Sequence, residues 1–231
     1  MPRLFLPLLV LLTACRPQAN PPAPGQPTRQ AITPKSYLAL GDSYTIGQGV
    51  AAADRFPAQT VQWLQDRGIV VSALTYIATT GWTTTQLQAA IASRQPGLHD
   101  VVTLLIGVND QYQARDTTGY RARFTNLLQT AITLARDKKD NVVVLSIPDY
   151  SVTPFAAGSD TARIRQELDW FNAINRNVTL AAGVVYLDIT PSTREARTNP
   201  ALLAADGLHP SALEYRRWAL RLGPLLELAL K

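Results

Sequence analysis

One cysteine, one methionine and two histidines are all that 231 residues hold of those three types, and each scarcity excludes something. A single thiol, Cys15, cannot close an intramolecular disulfide, and two imidazoles do not make a dense His/Cys cluster of the kind that holds a structural zinc. Disulfide scaffolds and zinc modules are therefore out, and no metal site is expected. Blocks of one charge are also missing. The 22 Lys+Arg outnumber the 17 Asp+Glu by five, but the bases are scattered or interleaved with acids, as in Arg136-Asp137-Lys138-Lys139-Asp140. That pattern reads as a solvated face, so no nucleic-acid partner is expected. What the chain does have is 46% apolar and 17% charged residues, with no internal repeat. This is ordinary globular composition, and the length suffices for one sizeable core.

The apolar run from Leu4 to Leu12, behind Arg3, is well short of the roughly 20 residues needed to span a bilayer as a helix. It reads as a signal peptide over residues 1–14. Its end, Leu12-Thr13-Ala14-Cys15, resembles the bacterial lipoprotein signal, in which small residues precede a Cys that is lipidated on its thiol. The resemblance implies lipidation at Cys15, a membrane partner through that anchor, and an extracytoplasmic place in a bacterial cell envelope. From Arg16 to Pro34 the chain holds six Pro and few bulky apolar side chains, so it cannot repay the entropy of ordering and reads as an extended tether. Residues 35–231 then form a single domain.

Within that domain short β-branched runs alternate with helical patterns. The predicted strands are Tyr37–Leu40, Ile69–Tyr76, Val101–Ile106, Val142–Ile147 and Val184–Ile189, near-continuously apolar as strands covered on both faces are. Between and after them, Phe124, Leu127, Leu128, Ala131 and Ala135 keep helical spacing. So do Ile164, Leu168, Phe171, Ile174 and Val178, and then Tyr215, Trp218, Ala219, Leu222 and Leu226. Thr83 with Gln86 resembles a capping box, Ser159 and Ser211 are candidate N-caps, and Gly68 and Gly183 follow helical segments. Strand–helix alternation with right-handed crossovers gives an α/β fold, a parallel five-stranded sheet in an α/β/α sandwich.

Function in such a fold sits in the crevice beyond the carboxyl ends of the strands. Three polar loops fall there: Gly41-Asp42-Ser43 after the first strand, Gly81 within Thr79-Thr80-Gly81-Trp82 after the second, and Gly107-Val108-Asn109-Asp110 after the third. Ahead of the last helix stands Asp206-Gly207-Leu208-His209-Pro210, a carboxylate three residues before an imidazole, which supplies a base and its orienter. His99, the other imidazole, precedes the third strand and is expected at the opposite edge of the sheet. Asp149 and Asp188 follow strands four and five and remain alternatives to Asp206 as orienter. Asp42 and Asp110 are expected to hydrogen-bond to loop backbone instead of reacting.

Together, in this order, the four blocks resemble those of the GDSL/SGNH hydrolases, centred on Ser43, Gly81, Asn109 and His209, from about Tyr37 to the C-terminus. The one departure is Tyr44, where the name-giving motif has Leu; it flanks the nucleophile and bears on substrate fit. The resemblance implies a flavodoxin-like three-layer sandwich with strand order 2-1-3-4-5, which sets the Gly81 and Asn109 loops on either side of Ser43. It further implies a serine esterase that cleaves carboxylic esters: short- to medium-chain acyl esters, lysophospholipids or acetylated carbohydrates. Ser43 would be the nucleophile, His209 the base and Asp206 its orienter, with the Ser43 and Gly81 amides and the Asn109 side chain as oxyanion hole. No cofactor is implied. Tyr44, Trp82, Tyr112, Phe155 and Leu208 are the expected substrate-lining side chains, with Ile46 and Tyr150 beside them. Two rival classes are a non-catalytic envelope lipoprotein that binds glycan or lipid in the same crevice, and a nucleotide-binding domain. Intact Ser43, Asp206 and His209 argue against the first. The loop from Gly41 to Gly49 argues against the second, having neither the Lys-Ser/Thr of a phosphate loop nor G-x-G-x-x-G.

Overall fold

The structure, a computed structural model, describes residues 33–114 and 117–231. The signal segment, Cys15 and nearly all of the Pro-rich stretch therefore lie outside the described residues. Five strands, β1 (Lys35–Gly41), β2 (Val71–Ala78), β3 (Val101–Leu105), β4 (Val142–Leu145) and β5 (Val185–Leu187), form one parallel sheet. Their spatial order is β2-β1-β3-β4-β5. The sheet is thus built from β1, which steps one way to β2, then crosses back to β3 and continues outward. With right-handed crossovers that reversal sends the first connecting helix to one face of the sheet and the later ones to the other. On one face α2 (Phe56–Gln65) packs along α8 (Ala212–Leu230); on the other α3 (Thr84–Arg94), α5 (Tyr120–Leu134) and α6 (Thr161–Ala181) lie side by side. This is the expected three-layer sandwich.

The periodic residues lie where their spacing puts them. Phe124, Leu127, Leu128, Ala131 and Ala135 are all buried, as are Tyr215, Trp218, Ala219, Leu222 and Leu226. Of the α6 set, Ile164, Leu168 and Phe171 are buried, while Ile174 and Val178 are partly covered. Trp218 is fully buried and its indole N–H donates to Glu214 at 2.7 Å, so the largest side chain of α8 enters the core without an orphaned donor.

Strands four and five are shorter than expected, ending at Leu145 and Leu187, and three further local expectations change. The second strand begins at Val71 and not at Ile69, because the Ile69 amide is used to close α2, donating to the Leu64 carbonyl at 3.1 Å. It is also not covered on both faces: Ser72, Ala73 and Thr75 are exposed, since β2 is the sheet's edge. The N-cap of α6 is Asp160, not Ser159; its carboxylate accepts the Arg163 amide at 3.0 Å, and a charged acceptor gains more from the positive end of a helix than a hydroxyl does. The other two caps form as read. Thr83 and Gln86 make a reciprocal capping box on α3, and the Ser211 hydroxyl accepts the Glu214 amide on α8. No described helix is long and apolar enough to cross a membrane.

Candidate active site

β1 ends where no side chain fits. A Cβ at Gly41 would overlap the Thr45 side chain and the Leu105 carbonyl oxygen of the adjacent strand, so only glycine lets the chain turn there. Two residues later Ser43 opens the short helix α1 (Ser43–Ile46), whose N-cap is Asp42: one carboxyl oxygen accepts the Tyr44 amide at 3.0 Å. Ser43 is thereby held at a strand-to-helix turn, 5% exposed, on the wall of a cavity of about 190 Å³.

That cavity is also lined by Tyr44, Thr80, Gly81, Val108, Asn109, Tyr112, Tyr150, Phe155, Leu208 and His209. The loops after β1, β2 and β3 and the loop before α8 therefore converge, and Ser43, Gly81, Asn109 and His209 share one space. Two of these loops are tied together by Asp110. Its carboxylate accepts the Thr84 amide (2.8 Å) and hydroxyl (2.6 Å), and Arg123 pairs with it at 3.5 Å. The start of α3 is so bound to α4 (Val108–Ala114), which carries Asn109. The Asn109 amide donates one hydrogen to the Trp82 carbonyl at 3.0 Å; its second N–H is thus oriented by the first. Gly81 has φ +85°, a conformation glycine takes without strain.

His209 is fixed from its own loop. Asp206 accepts from the imidazole through Oδ2 (Nδ1 at 2.7 Å), and its Oδ1 accepts the backbone amides of His209 (2.9 Å) and Leu208 (3.0 Å). Burial works to raise the Asp206 carboxyl, but the bonds from the His209 ring, the His209 amide and the Leu208 amide outweigh it, so the group lies below the usual carboxylate range and is ionised near neutrality. A carboxylate on Nδ1 leaves Nε2 as the ring nitrogen with an open lone pair. The Tyr44 ring packs against the imidazole, with centroids 5.3 Å apart and planes tilted by 59°.

The alternatives are engaged elsewhere. Asp149 pairs with Arg194 at 2.7 Å and Arg165 at 3.6 Å and caps its own turn at Ser151; Asp188 accepts from Ser146 and Thr190. His99 lies just ahead of β3, its amide donating to the Leu134 carbonyl, and takes no part in the cavity. Asp42 and Asp110 bond to backbone, though at the first turns of α1 and α3 instead of in loops, accepting the Tyr44 and Thr84 amides.

Of the expected lining residues, Tyr44, Tyr112, Phe155 and Leu208, with Tyr150, border the cavity. Trp82 and Ile46 do not. The Trp82 ring packs on the core with the Arg94 guanidinium 5.7 Å above it; the carbonyl of that residue, and not its ring, serves the site by holding Asn109. Thr80 and Val108 were not foreseen. Each adjoins a block glycine or asparagine, and that adjacency is the signal that could have marked them.

Ser43, at the carboxyl end of the first strand of a doubly wound sheet, shares one cavity with the His209 imidazole that Asp206 holds, on the fold of the SGNH ester hydrolases. The chain matches the GDSL-like Lipase/Acylhydrolase family over residues 39–217, more than half its length, and belongs to that family. No curated protein matches it significantly in sequence. Among solved structures it is similar to the lipase/acylhydrolase from Enterococcus faecalis, at 20% identity over 85% of this chain and 97% of that one, with a TM-score of 0.63. It is similar also to an acetylxylan esterase from Geobacillus stearothermophilus (19% identity, 86% and 95% covered, TM-score 0.60). A third is the protein TesA (18% identity, 85% and 100% covered, TM-score 0.61). At such identities the likeness is one of fold.

Proposed function

We propose that the protein hydrolyses small carboxylic esters through an acyl-enzyme on Ser43, with His209 as general base and acid and Asp206 as its orienter. The observation that carries this is the 2.7 Å Asp206–His209 bond, which sets the imidazole by its Nδ1 side in the cavity that Ser43 also lines. Ser43 Oγ attacks the ester carbonyl while His209 Nε2 takes its proton. The negative oxygen of the tetrahedral intermediate is held by the Ser43 and Gly81 amides and the free N–H of Asn109. As the intermediate collapses, the C–O bond to the alcohol breaks and the imidazolium returns its proton to that oxygen. Water then attacks the acyl-serine with His209 again taking a proton, releasing the carboxylic acid and restoring the hydroxyl. In this mechanism protein groups supply the nucleophile, the base and the oxyanion donors, so no step is assigned to a metal or organic cofactor.

A cavity of about 190 Å³ suits a short acyl group better than a drug-sized ligand, for which roughly 300–1,000 Å³ is usual. The acetylxylan esterase among the similar structures is in keeping with acetyl esters. Lipidation at Cys15, behind a signal segment and ahead of a tether to the domain at 35–231, would hold this site at a bacterial envelope membrane.

The test is hydrolysis of p-nitrophenyl esters from acetate to palmitate by the wild-type and Ser43→Ala proteins. Turnover should peak at the short chains and fall by a factor of about 10⁶ in the variant, the scale seen when an acyl-enzyme nucleophile is removed. An active Ser43→Ala protein would overturn the mechanism, and a peak at palmitate would overturn the short-acyl reading.

A further inference from the structure

Three aromatic rings from two segments distant in sequence make one wall of the cavity. The Tyr112 ring, on α4, has its centroid 6.0 Å from that of Phe155 and 6.2 Å from that of Tyr150, and the last two are 6.2 Å apart. The planes meet at 49–74°, the tilted and edge-to-face contacts that aromatic rings prefer. Tyr150 is the fixed member: it is buried, and its hydroxyl donates to Gln111 at 2.9 Å. The Gln111 amide in turn donates to the buried Glu167 at 2.7 Å, and Arg163 pairs with that carboxylate at 2.7 Å. Tyr112 and Phe155 are the outer members, 49% and 47% exposed. Two large rings held half in water beside a reactive cavity are an apolar surface awaiting cover.

The position of the wall says which part of an ester would cover it. Tyr112 stands three residues after Asn109, on the same helix. The Phe155 amide donates to the Gly207 carbonyl at 3.1 Å, two residues before His209, so Phe155 is pinned to the loop that carries the base. The wall therefore runs from the oxyanion donor to the imidazole. In the mechanism above His209 hands its proton to the leaving oxygen, so the alcohol must lie at the imidazole end, against Phe155. The polar groups beside Gly81 are neutral: Thr80, which lines the cavity, donates to Gln48 at 2.9 Å, and Gln113 donates to the Gly81 carbonyl at 3.0 Å. Among the described residues no Lys or Arg lines the cavity.

We propose that Tyr112, Tyr150 and Phe155 form the leaving-group subsite, and that it selects esters whose alcohol presents an uncharged ring face, aryl or pyranose, for stacking. This rests on the serine mechanism for its orientation.

The experiment compares acetates of aliphatic alcohols, so that leaving-group acidity is nearly matched: ethyl acetate, benzyl acetate and methyl 6-O-acetylglucopyranoside. At least one ring-bearing ester should exceed ethyl acetate about tenfold in kcat/KM, the scale of one or two aromatic contacts. A lead for benzyl acetate marks an aryl site and a lead for the sugar a pyranose site. Phe155→Leu, which keeps apolar bulk but no ring, should lose most of that preference through KM, and Phe155→Tyr should restore it. Equal kcat/KM for all three esters in the wild type, or an undiminished preference in Phe155→Leu, would overturn the proposal and leave the serine mechanism standing. Binding to the Ser43→Ala protein gives a readout free of turnover. The preferred ring-bearing acetate should bind it about tenfold more tightly than ethyl acetate, and equal affinities would overturn the subsite. Ring-selective binding by a wild-type protein that turns over none of these esters would overturn the mechanism and not the wall.

Discussion

The Tyr44 ring is 3% exposed and lies against His209, at the position where the family's motif carries leucine. A ring in that tilted contact restrains the imidazole from one side while Asp206 restrains it at Nδ1. Tyr44→Leu is therefore expected to lower kcat about fivefold, the rate equivalent of roughly 1 kcal/mol of aromatic contact, with Tyr44→Phe close to wild type. Steady-state kinetics on p-nitrophenyl acetate would decide it, and a Leu variant with unchanged kcat would show the ring to be packing alone. Its neighbour Asp42 is fully buried and only one of its oxygens has a partner. Burial pushes its carboxyl up to about 8, opposed by the bond from the Tyr44 amide and helped by the charge of Asp110. The native carboxyl then keeps a proton that the unfolded chain releases at its ordinary value of 3.8, so stability falls as pH rises from about 4 to 8. Asp42→Asn keeps the cap oxygen and cannot ionise. It should flatten that slope and raise the urea midpoint at pH 8, with little change at pH 4; parallel curves for the two proteins would contradict the assignment.

Among the elements, α3 follows the loop of Gly81 and α4 carries Asn109, two of the proposed oxyanion donors, and Asp110 joins the two helices. Removing its carboxylate leaves the Thr84 amide and Arg123 without their buried partner. Asp110→Ala should accordingly cost about 1–3 kcal/mol, the scale for leaving a buried amide without its acceptor, since Arg123 is partly exposed and is screened by water. The Gly81 and Asn109 loops would then drift, and kcat should fall with stability; a variant that keeps both would place the clamp elsewhere. Helix faces, and the caps of α3 and α8, were legible here because their signals are local. The Thr83–Gln86 box and the buried stripe of α5 each need only residues a few positions apart. Element ends were less legible. Whether Ile69 starts a strand or closes α2 depends on a hydrogen bond back to Leu64, and whether β2 is covered depends on its place at the sheet's edge.

At the scale of the whole molecule, the proposed anchor and the described domain are separate matters. Cys15→Ser should move the protein from the membrane to the soluble fraction with its specific activity unchanged, and continued membrane association would point to an uncleaved leader segment. The sequence by itself determined the α/β class, the helix faces, and the four blocks, because strand and helix periodicity and strand-end loops are written in residues near one another. It also favoured Asp206 as the partner of His209, because a spacing of three lets one loop hold both groups, but Asp149 and Asp188 were set aside only by their ion pairs and hydrogen bonds elsewhere. Only the tertiary structure decided that Tyr44 lies on His209, that Trp82 turns its ring to the core and offers its carbonyl to Asn109, and that Tyr112 meets Tyr150 and Phe155 in one wall. Those contacts join segments dozens of residues apart. Which side chain points into a shared cavity is settled by competition for packing among several loops, and no single loop's sequence contains that outcome.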